Sequence, residues 1–589
     1  MMFAMELPAR AGSRRRLLPA QGAFRPRALP LLLALALGFA GGASAQAVLP
    51  GAGQLQRQVE ESLQPPPPAS APPQAPAAAP VDRSGPALTV RKFVIEGATL
   101  IPAEDLAQRL EPWRDRPASL GELQAAAQGL VAAYRERGWF ARVQIPPQDA
   151  SSGTLRIRVI EGRFGRIVTD AAGAARTDAA AIERLVGHRL RAGEPYAQEA
   201  LERGLLLAND LPGVEADGVL QAGAAVGTSD LALHVRDLPL VSGQVGANNA
   251  GSRSTGREQA SAQLSLEGPS GRGDQATLAL LASDGVRYAG VGYGLPLGSD
   301  GLRAHAGATD LRYELRGSFA ALDARGRART ATAGLSYPAV RSTALNVWLG
   351  LDAARGEYHD DVLGLPLRER RVDTLAASAW GNAIDGLGGG GRTEWRAGLV
   401  PGDVHLGVDA PQDAAGPGTE GGFTRVVAEV RRDQALAGAV YLRARFTGQW
   451  ASGNLDASQK FGLGGPWGVR AFPVDDGLGD SGALVQLELH RPFPTSAAGQ
   501  FDAFVFADGG TVRQHQQPWA GWDTGGSGRN SYGLAAAGLG LSWSGRNGLT
   551  ATLLVATPLG GNPGSAVPGH DQDGGRTGTH TWFTAGWRF

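Results

Sequence analysis

No cysteine occurs in the 589 residues, which excludes disulfides, thiolate metal sites, iron–sulfur clusters and a cysteine nucleophile together. Whatever holds this fold is non-covalent. A surplus of either charge is missing as well: 56 Lys and Arg balance 56 Asp and Glu, so nothing favours nucleic acid or another polyanion as a partner. The apolar run Ala28 to Ala40 is too short for a membrane helix, with about 13 residues where about 20 are needed. Glycine is abundant instead. Its 86 occurrences are about twice the usual share of roughly 7%, with no collagen-like period, and suggest turns, strand kinks and mobile loops. The length suits several domains rather than one core.

Residues 1–45 read as a secretory signal peptide. A basic region (Arg14, Arg15, Arg16, Arg25, Arg27) precedes the apolar run, and Ala43-Ser44-Ala45 offers a small-residue cleavage site before Gln46. Ser13-Arg14-Arg15 faintly resembles a twin-arginine signal, but that route carries folded cargo. Residues 46–64 are expected to hold an N-terminal amphipathic helix. In "GAGQLQRQVEESLQ" (Gly51 to Gln64), Leu55, Val59 and Leu63 lie four apart and share one face. Alone it would be marginal. Residues 65–87 are Pro/Ala-rich, cannot build a core and should form an extended, semi-rigid tether.

From Leu88 the pattern changes. "LTVRKFVIEG" reads as a strand, and Ile101-Pro102 opens a helix with Leu106, Leu110 and Trp113 on one side. Ser119 then caps a second helix with Glu122 in the capping-box position, and Gly138 stops it. "WFARVQI" and "TLRIRVIEG" follow as strands. The same β-α-α-β-β order returns in "FGRIVTD", Ala179 to Leu190, Gln198 to Asn209, Gly218 to Gln221 and Leu231 to Val235. This repeated unit, with "YRERGWFARVQIPPQ", "LRIRVIEG" and "LLLANDLPGV", resembles the polypeptide-transport-associated (POTRA) domain. The resemblance implies one such domain at 88–162 and a second at 163–237.

From residue 240 to 589 helical periods give way to alternation. In "VYLRARFTGQW", Val440, Leu442, Ala444, Phe446, Gly448 and Trp450 point one way, against Tyr441, Arg443, Arg445, Thr447 and Gln449. "ALVQLELHR" repeats the contrast, and "LTATLLVA" does so more weakly. Strands are expected to be joined alternately by tight turns and by long polar loops such as Asp352 to Arg371 and Gly509 to Arg529. That asymmetry fits a transmembrane β-barrel, which must close because no backbone group can stay unpaired in lipid. The length alone permits about 14 to 18 strands. The end, "THTWFTAGWRF", puts Phe583, Ala585, Trp587 and Phe589 on one face. It resembles the terminal signal by which Gram-negative outer-membrane barrels are recognised for assembly.

Taken together, leader, tethered helix, two POTRA-like repeats, barrel and terminal Phe resemble the TpsB transporters of two-partner secretion, the family of the filamentous haemagglutinin transporter and the haemolysin secretion/activation proteins. The resemblance implies an all-β transmembrane barrel of about 16 antiparallel strands, preceded by two small α/β POTRA domains and a plug helix. "GGPWGVRAFPVDDGLGDSG" matches the family's loop, folded back into the lumen around 461–482 and tipped by a "VRG(Y/F)" tetrad. Here the tetrad is Val469-Arg470-Ala471-Phe472, with alanine in place of glycine. The family's barrel-wall "FxD" element falls on Phe506-Ala507-Asp508, which implies that Asp508 holds Arg470. Glycines would give the loop its reach.

By the same resemblance the function is passive secretion, without cofactor or metal, of an unfolded TpsA-type exoprotein captured by the POTRA domains in the periplasm. Outer-membrane lipid and, during biogenesis, the barrel assembly machinery are the other implied partners. A BamA-type assembly factor shares the Arg/Asp signature but usually carries more POTRA repeats and lacks the helix and tether. A porin would not explain the N-terminal modules. An enzyme has little support: no Gly-x-Ser-x-Gly elbow stands out, and Glu488 and His490 read as polar lumen lining rather than a catalytic pair.

Overall fold

The computed structural model describes residues 49–63, 87–225, 227–474, 476–523 and 527–589. The signal at 1–45 and nearly all of the tether at 65–87 lie outside the described residues.

Helix α1 (Ala52–Ser62) is shorter at both ends than the stretch that suggested it. No side chain of its own caps its start. Instead the Ala52 amide donates to Asp360 Oδ1 at 2.8 Å, so the barrel wall satisfies a donor that a free helix would leave to water. Leu55 and Val59 are fully buried and Leu63 partly so, all packed among inward-facing residues such as Tyr288, Leu311, Tyr313 and Phe423. A helix too short to persist alone is thus stabilised by burial inside the barrel.

The first module runs β1 (Ala87–Thr89), β2 (Lys92–Glu96), α2 (Ala103–Leu110), β3 (Pro117–Ser119), α3 (Leu120–Glu136), β4 (Ala141–Gln144) and β5 (Thr154–Glu161). Its main sheet has the order β2-β5-β4, with β2 parallel to β5. The single strand expected over "LTVRKFVIEG" is two. β1 pairs with β3, and the chain bends where the Arg91 and Lys92 amides both donate to the Gly153 carbonyl, at 2.7 and 3.1 Å. The capping box forms: Ser119 Oγ accepts from the Glu122 amide at 3.2 Å and Glu122 Oε2 from the Ser119 amide at 2.9 Å.

At the end of β5, Glu161 ties the sheet to the start of the helical layer. It accepts from the Thr99 and Leu100 amides, both at 2.7 Å, from the Thr99 hydroxyl, and from Tyr134 Oη at 2.8 Å. Burial alone would raise its carboxyl, but these donors outweigh it and hold the group below the usual carboxylate range. A depressed folded value contributes stability that is present above the unfolded value and lost as pH falls through the folded one. Glu161→Gln is therefore expected to destabilise this module by about 1–3 kcal/mol at neutral pH. The gap should shrink below about pH 4. Pulse proteolysis of the full chain in urea at both pH values checks this, and an equal gap at both would refute it.

The second module repeats the order with β6 (Arg163–Gly173), α4 (Ala179–Val186), α5 (Gln198–Asn209), β7 (Val214–Ala222) and β8 (Thr228–Asp237), in the sheet order β6-β8-β7. Helix α4 stops four residues short of Leu190 because Gly187 takes the C-cap. β7 and β8 run beyond their apolar patterns at both ends, β7 beginning at the buried Val214. This module is pinned to the barrel's turns. Arg341 makes a two-pronged bond to Asp210 at 2.7 Å on each arm, and Arg203 lies 3.3 Å from Asp300.

Sixteen strands, β9 (Val241–Asn248) through β24 (His580–Arg588), form the closed antiparallel barrel, with β24 pairing back onto β9. The burial pattern is that of a molecule with lipid outside. On β19 (Tyr441–Ala451), Tyr441 and Arg443 are 1% and 7% exposed while Trp450 is 55% exposed. Among the described residues no helix is long and apolar enough to cross a membrane; the crossing is made by strands.

The long loop expected at Asp352 to Arg371 is absent. β15 (Leu345–Val362) and β16 (Leu365–Asp385) run through it and meet at Leu363-Gly364, both with positive φ. The charges that suggested a loop are paired across strands, as in Arg355 Nε to Asp373 Oδ1 at 2.6 Å. Likewise Gly509 to Arg513 belongs to β21 (Gln500–Arg513), so the loop there starts at Gln514.

Candidate functional site

Between β19 and β20 (Ser481–Pro492) the chain turns into the lumen rather than out to solvent. Its tip is folded on itself: the Val469 amide donates to the Leu463 carbonyl at 2.8 Å and the Gly465 amide to the Phe472 carbonyl at 2.9 Å. Glycine is required here by crowding. A Cβ at Gly464 would stand 2.1 Å from the Pro473 oxygen, and one at Gly468 2.1 Å from the Leu463 oxygen. The expectation that glycines supply reach is therefore replaced by one in which they permit close packing. Ala471 lacks positive φ, so alanine there carries no backbone strain. Val469, Ala471 and Phe472 are wholly buried, in one apolar cluster with Phe506.

Arg470 lies in this cluster with its charge matched. Its backbone amide and Nε donate to Asp508 Oδ2 at 3.1 and 2.8 Å, and Nη2 donates to Oδ1 at 2.6 Å. The remaining arm, Nη1, donates to Glu488 Oε1 at 2.5 Å. The guanidinium rests on the Phe506 ring, 3.6 Å from its centroid. A fork with both faces of its charge answered is the arrangement that offsets the cost of burying it.

Several members of this network escaped the sequence reading. Glu488 is shared: its other oxygen lies 2.8 Å from His490 Nε2, whose Nδ1 lies 2.9 Å from Asp502 Oδ2, and Tyr441 Oη also donates to Asp502 at 3.0 Å. His490 is stacked between Tyr441 and Phe504, with centroids 4.6 and 4.5 Å away. Trp582 Nε1 donates to the Arg470 carbonyl at 2.6 Å. The alternation of β24 already placed Trp582 opposite Phe583 and Trp587, hence in the lumen; its partner could not be read.

On the other face of β24, Phe583, Trp587 and Phe589 are all about half exposed, turned outward. Phe589 also closes the seam, exchanging backbone hydrogen bonds with Gly243 at 2.9 and 3.0 Å.

The plug helix packs against both the barrel wall and the start of the lumenal loop, where a Cβ at Gly53 would stand 2.7 Å from that of Ser458. Gln56 Nε2 donates to Thr309 Oγ1 at 2.8 Å and to Thr330 Oγ1 at 3.3 Å, and Gln263 Nε2 donates to the Leu63 carbonyl at 2.6 Å. Between helix and loop remains a cavity of about 1160 Å³, bordered by Arg57, Glu61, Arg425, Trp467 and Glu488 among others.

A closed sixteen-stranded barrel with β-α-α-β-β modules before it and a helix inside its lumen defines an outer-membrane barrel transporter of the POTRA class. The profile of the haemolysin secretion/activation proteins ShlB/FhaC/HecB matches residues 227–543, and that of the ShlB-type POTRA domain matches residues 88–162. The chain belongs to the haemolysin secretion/activation family, the outer-membrane transporters of two-partner secretion, whose partners are secreted exoproteins.

Among its relatives, the heme/hemopexin transporter protein HuxB of Haemophilus influenzae is 25% identical over 78% of this chain and 82% of its own length. The outer membrane transporter CdiB of Escherichia coli is 25% identical over 72% of this chain and 73% of its own. The solved structure of Escherichia coli CdiB superposes with a TM-score of 0.65 at 21% identity, covering 92% of this chain and all of that one. BamA from Haemophilus ducreyi lacking POTRA domains 1–3 shares the fold more loosely, at TM-score 0.53 and 14% identity over 85% of this chain. Profile and relatives thus favour the transporter over the assembly factor.

Proposed function

We propose that this transporter is held shut by two lumenal elements, the helix at 46–64 and the loop locked by Arg470, that an unfolded exoprotein captured by the POTRA modules displaces the helix on its way out, and that the docked loop lines the path the exoprotein then follows. The observation that carries this reading is α1 itself, capped by Asp360 and buried against the inner wall. Capture is by strand addition: the free edges are β2 and β4 in the first module and β6 and β7 in the second. No nucleotide is consumed, and folding of the exoprotein outside biases its movement. The outward Phe583, Trp587 and Phe589 face outer-membrane lipid and present the end of the chain to the assembly machinery during biogenesis.

The test is single-channel conductance of the mature protein in a planar bilayer, with and without residues 46–64. Small, flickering conductance in the intact chain and large, steady conductance in the shortened one is the expected outcome. Equal conductance would remove the plug from the mechanism.

A further inference from the structure

Most charges on the lumen wall are answered by neighbouring strands. On β18 (Gly421–Ala435) and β19, Arg431 lies 3.4 Å from Glu394 and 3.3 Å from Asp433, Arg443 pairs with Asp433 at 2.8 Å, and Arg445 with Glu429 at 2.6 Å. Arg425, on the same inward face, differs. Its Nη1 donates to the neutral Gln449 Oε1 at 3.2 Å, and among the described residues no carboxylate comes within ion-pair distance of it. Arg57, on α1, lines one cavity with it.

Arg57 is only half answered. Its Nη1 reaches Glu61 Oε1 at 3.3 Å, a carboxylate 46% exposed. Its Nε and Nη2, and the Nε of Arg425, are shut off from solvent with no acceptor among the described residues. Both side chains border the same cavity of about 1160 Å³, beside Tyr358, Ser458 and Gln459. Two guanidiniums with unmade donors on one cavity of a narrow lumen are unfavourable, and the plug could have been held by a neutral contact here. What resolves both faults at once is an oxyanion: each guanidinium fork matches the oxygens of a carboxylate or a phosphate.

We propose that Arg57 and Arg425 are two halves of an oxyanion site that fastens the plug helix to the barrel wall. The proposal rests on the plug reading above. Its ligand is a group with two or more anionic oxygens, supplied either by free inorganic phosphate or by carboxylate side chains of the polypeptide in transit.

Two measurements on the full mature chain test it. In detergent, calorimetric titration with inorganic phosphate should show binding that Arg425→Gln and Arg57→Gln each weaken tenfold or more. In planar bilayers at constant ionic strength, millimolar phosphate should lengthen the closed intervals several-fold in the unaltered protein and not in either variant. A glutamate-rich peptide is compared with its glutamine counterpart in both assays. A response to the former alone assigns the site to carboxylates in transit, and a response only to phosphate assigns it to the free ion. No calorimetric binding of either anion, or equal binding by Arg425→Gln, overturns the proposal. If binding is lost in the variants but removal of residues 46–64 leaves conductance unchanged, the site stands and the plug reading falls.

Discussion

Asp508→Ala is expected to abolish exoprotein secretion while leaving a barrel that still assembles. Asp508 accepts three of the four hydrogen bonds that Arg470 donates, from its amide, Nε and Nη2, and Glu488 alone would be left to answer a guanidinium that is 3% exposed. Removing one partner of a buried pair costs about 3–5 kcal/mol, because the other charge remains without compensation. At 1.4 kcal/mol per tenfold, that shifts docking of the loop by roughly a hundred- to several-thousand-fold. The outward faces of the strands are untouched. The heat-modifiable form diagnostic of a folded barrel should persist while residues 461–480 become accessible to protease. Normal secretion by this variant would sink the lock.

The simple charge swap is expected to rescue little. In Arg470→Asp with Asp508→Arg, the new carboxylate at 470 would face Glu488, whose Oε1 now lies 2.5 Å from the Arg470 guanidinium. An aspartate ends short of the place the guanidinium held, yet both carboxylates would stay in one buried pocket, where like charges repel. Adding Glu488→Gln should raise secretion above the double variant. Equal activity of double and triple variants would mean that Glu488 has no share in holding the loop.

The sequence was legible where a local rule acts alone. Ser119 and Glu122 announce their cap because both partners lie within one turn, and Tyr441 to Trp450 announce a wall with lipid on one side because period two survives any register. It was misleading where polarity stood in for geometry. Asp352 to Arg371 is charged enough for a loop, yet Arg355 and Asp373 meet across β15 and β16. It was silent where the partner is distant. Trp582 and Arg470 are 112 residues apart, and Arg57 and Arg425 border one cavity only because the chain before the barrel returns into its lumen.

Two adjacent residues on β20 give the sharpest test of which side faces lipid. Leu487 is 44% exposed, between Val485 and Leu489 on the same face, whereas Gln486 is 5% exposed and donates to the Gly468 carbonyl at 2.9 Å. Leu487→Arg puts a guanidinium among acyl chains and is expected to cost about 2–4 kcal/mol near the bilayer midplane, falling toward zero at the interface. Gln486→Ala leaves the outer surface alone but strands the Gly468 carbonyl at the tip of the lumenal loop, at a cost of about 1–3 kcal/mol. The readouts should therefore separate. Leu487→Arg lowers the urea midpoint for unfolding from lipid vesicles and slows assembly, with little change in the conductance of channels that do form. Gln486→Ala leaves assembly intact and increases the flicker of the closed state. Were both changes to act on assembly alone, the loop tip would owe nothing to the wall at Gln486, and the closed state would rest on the Arg470 lock and the helix.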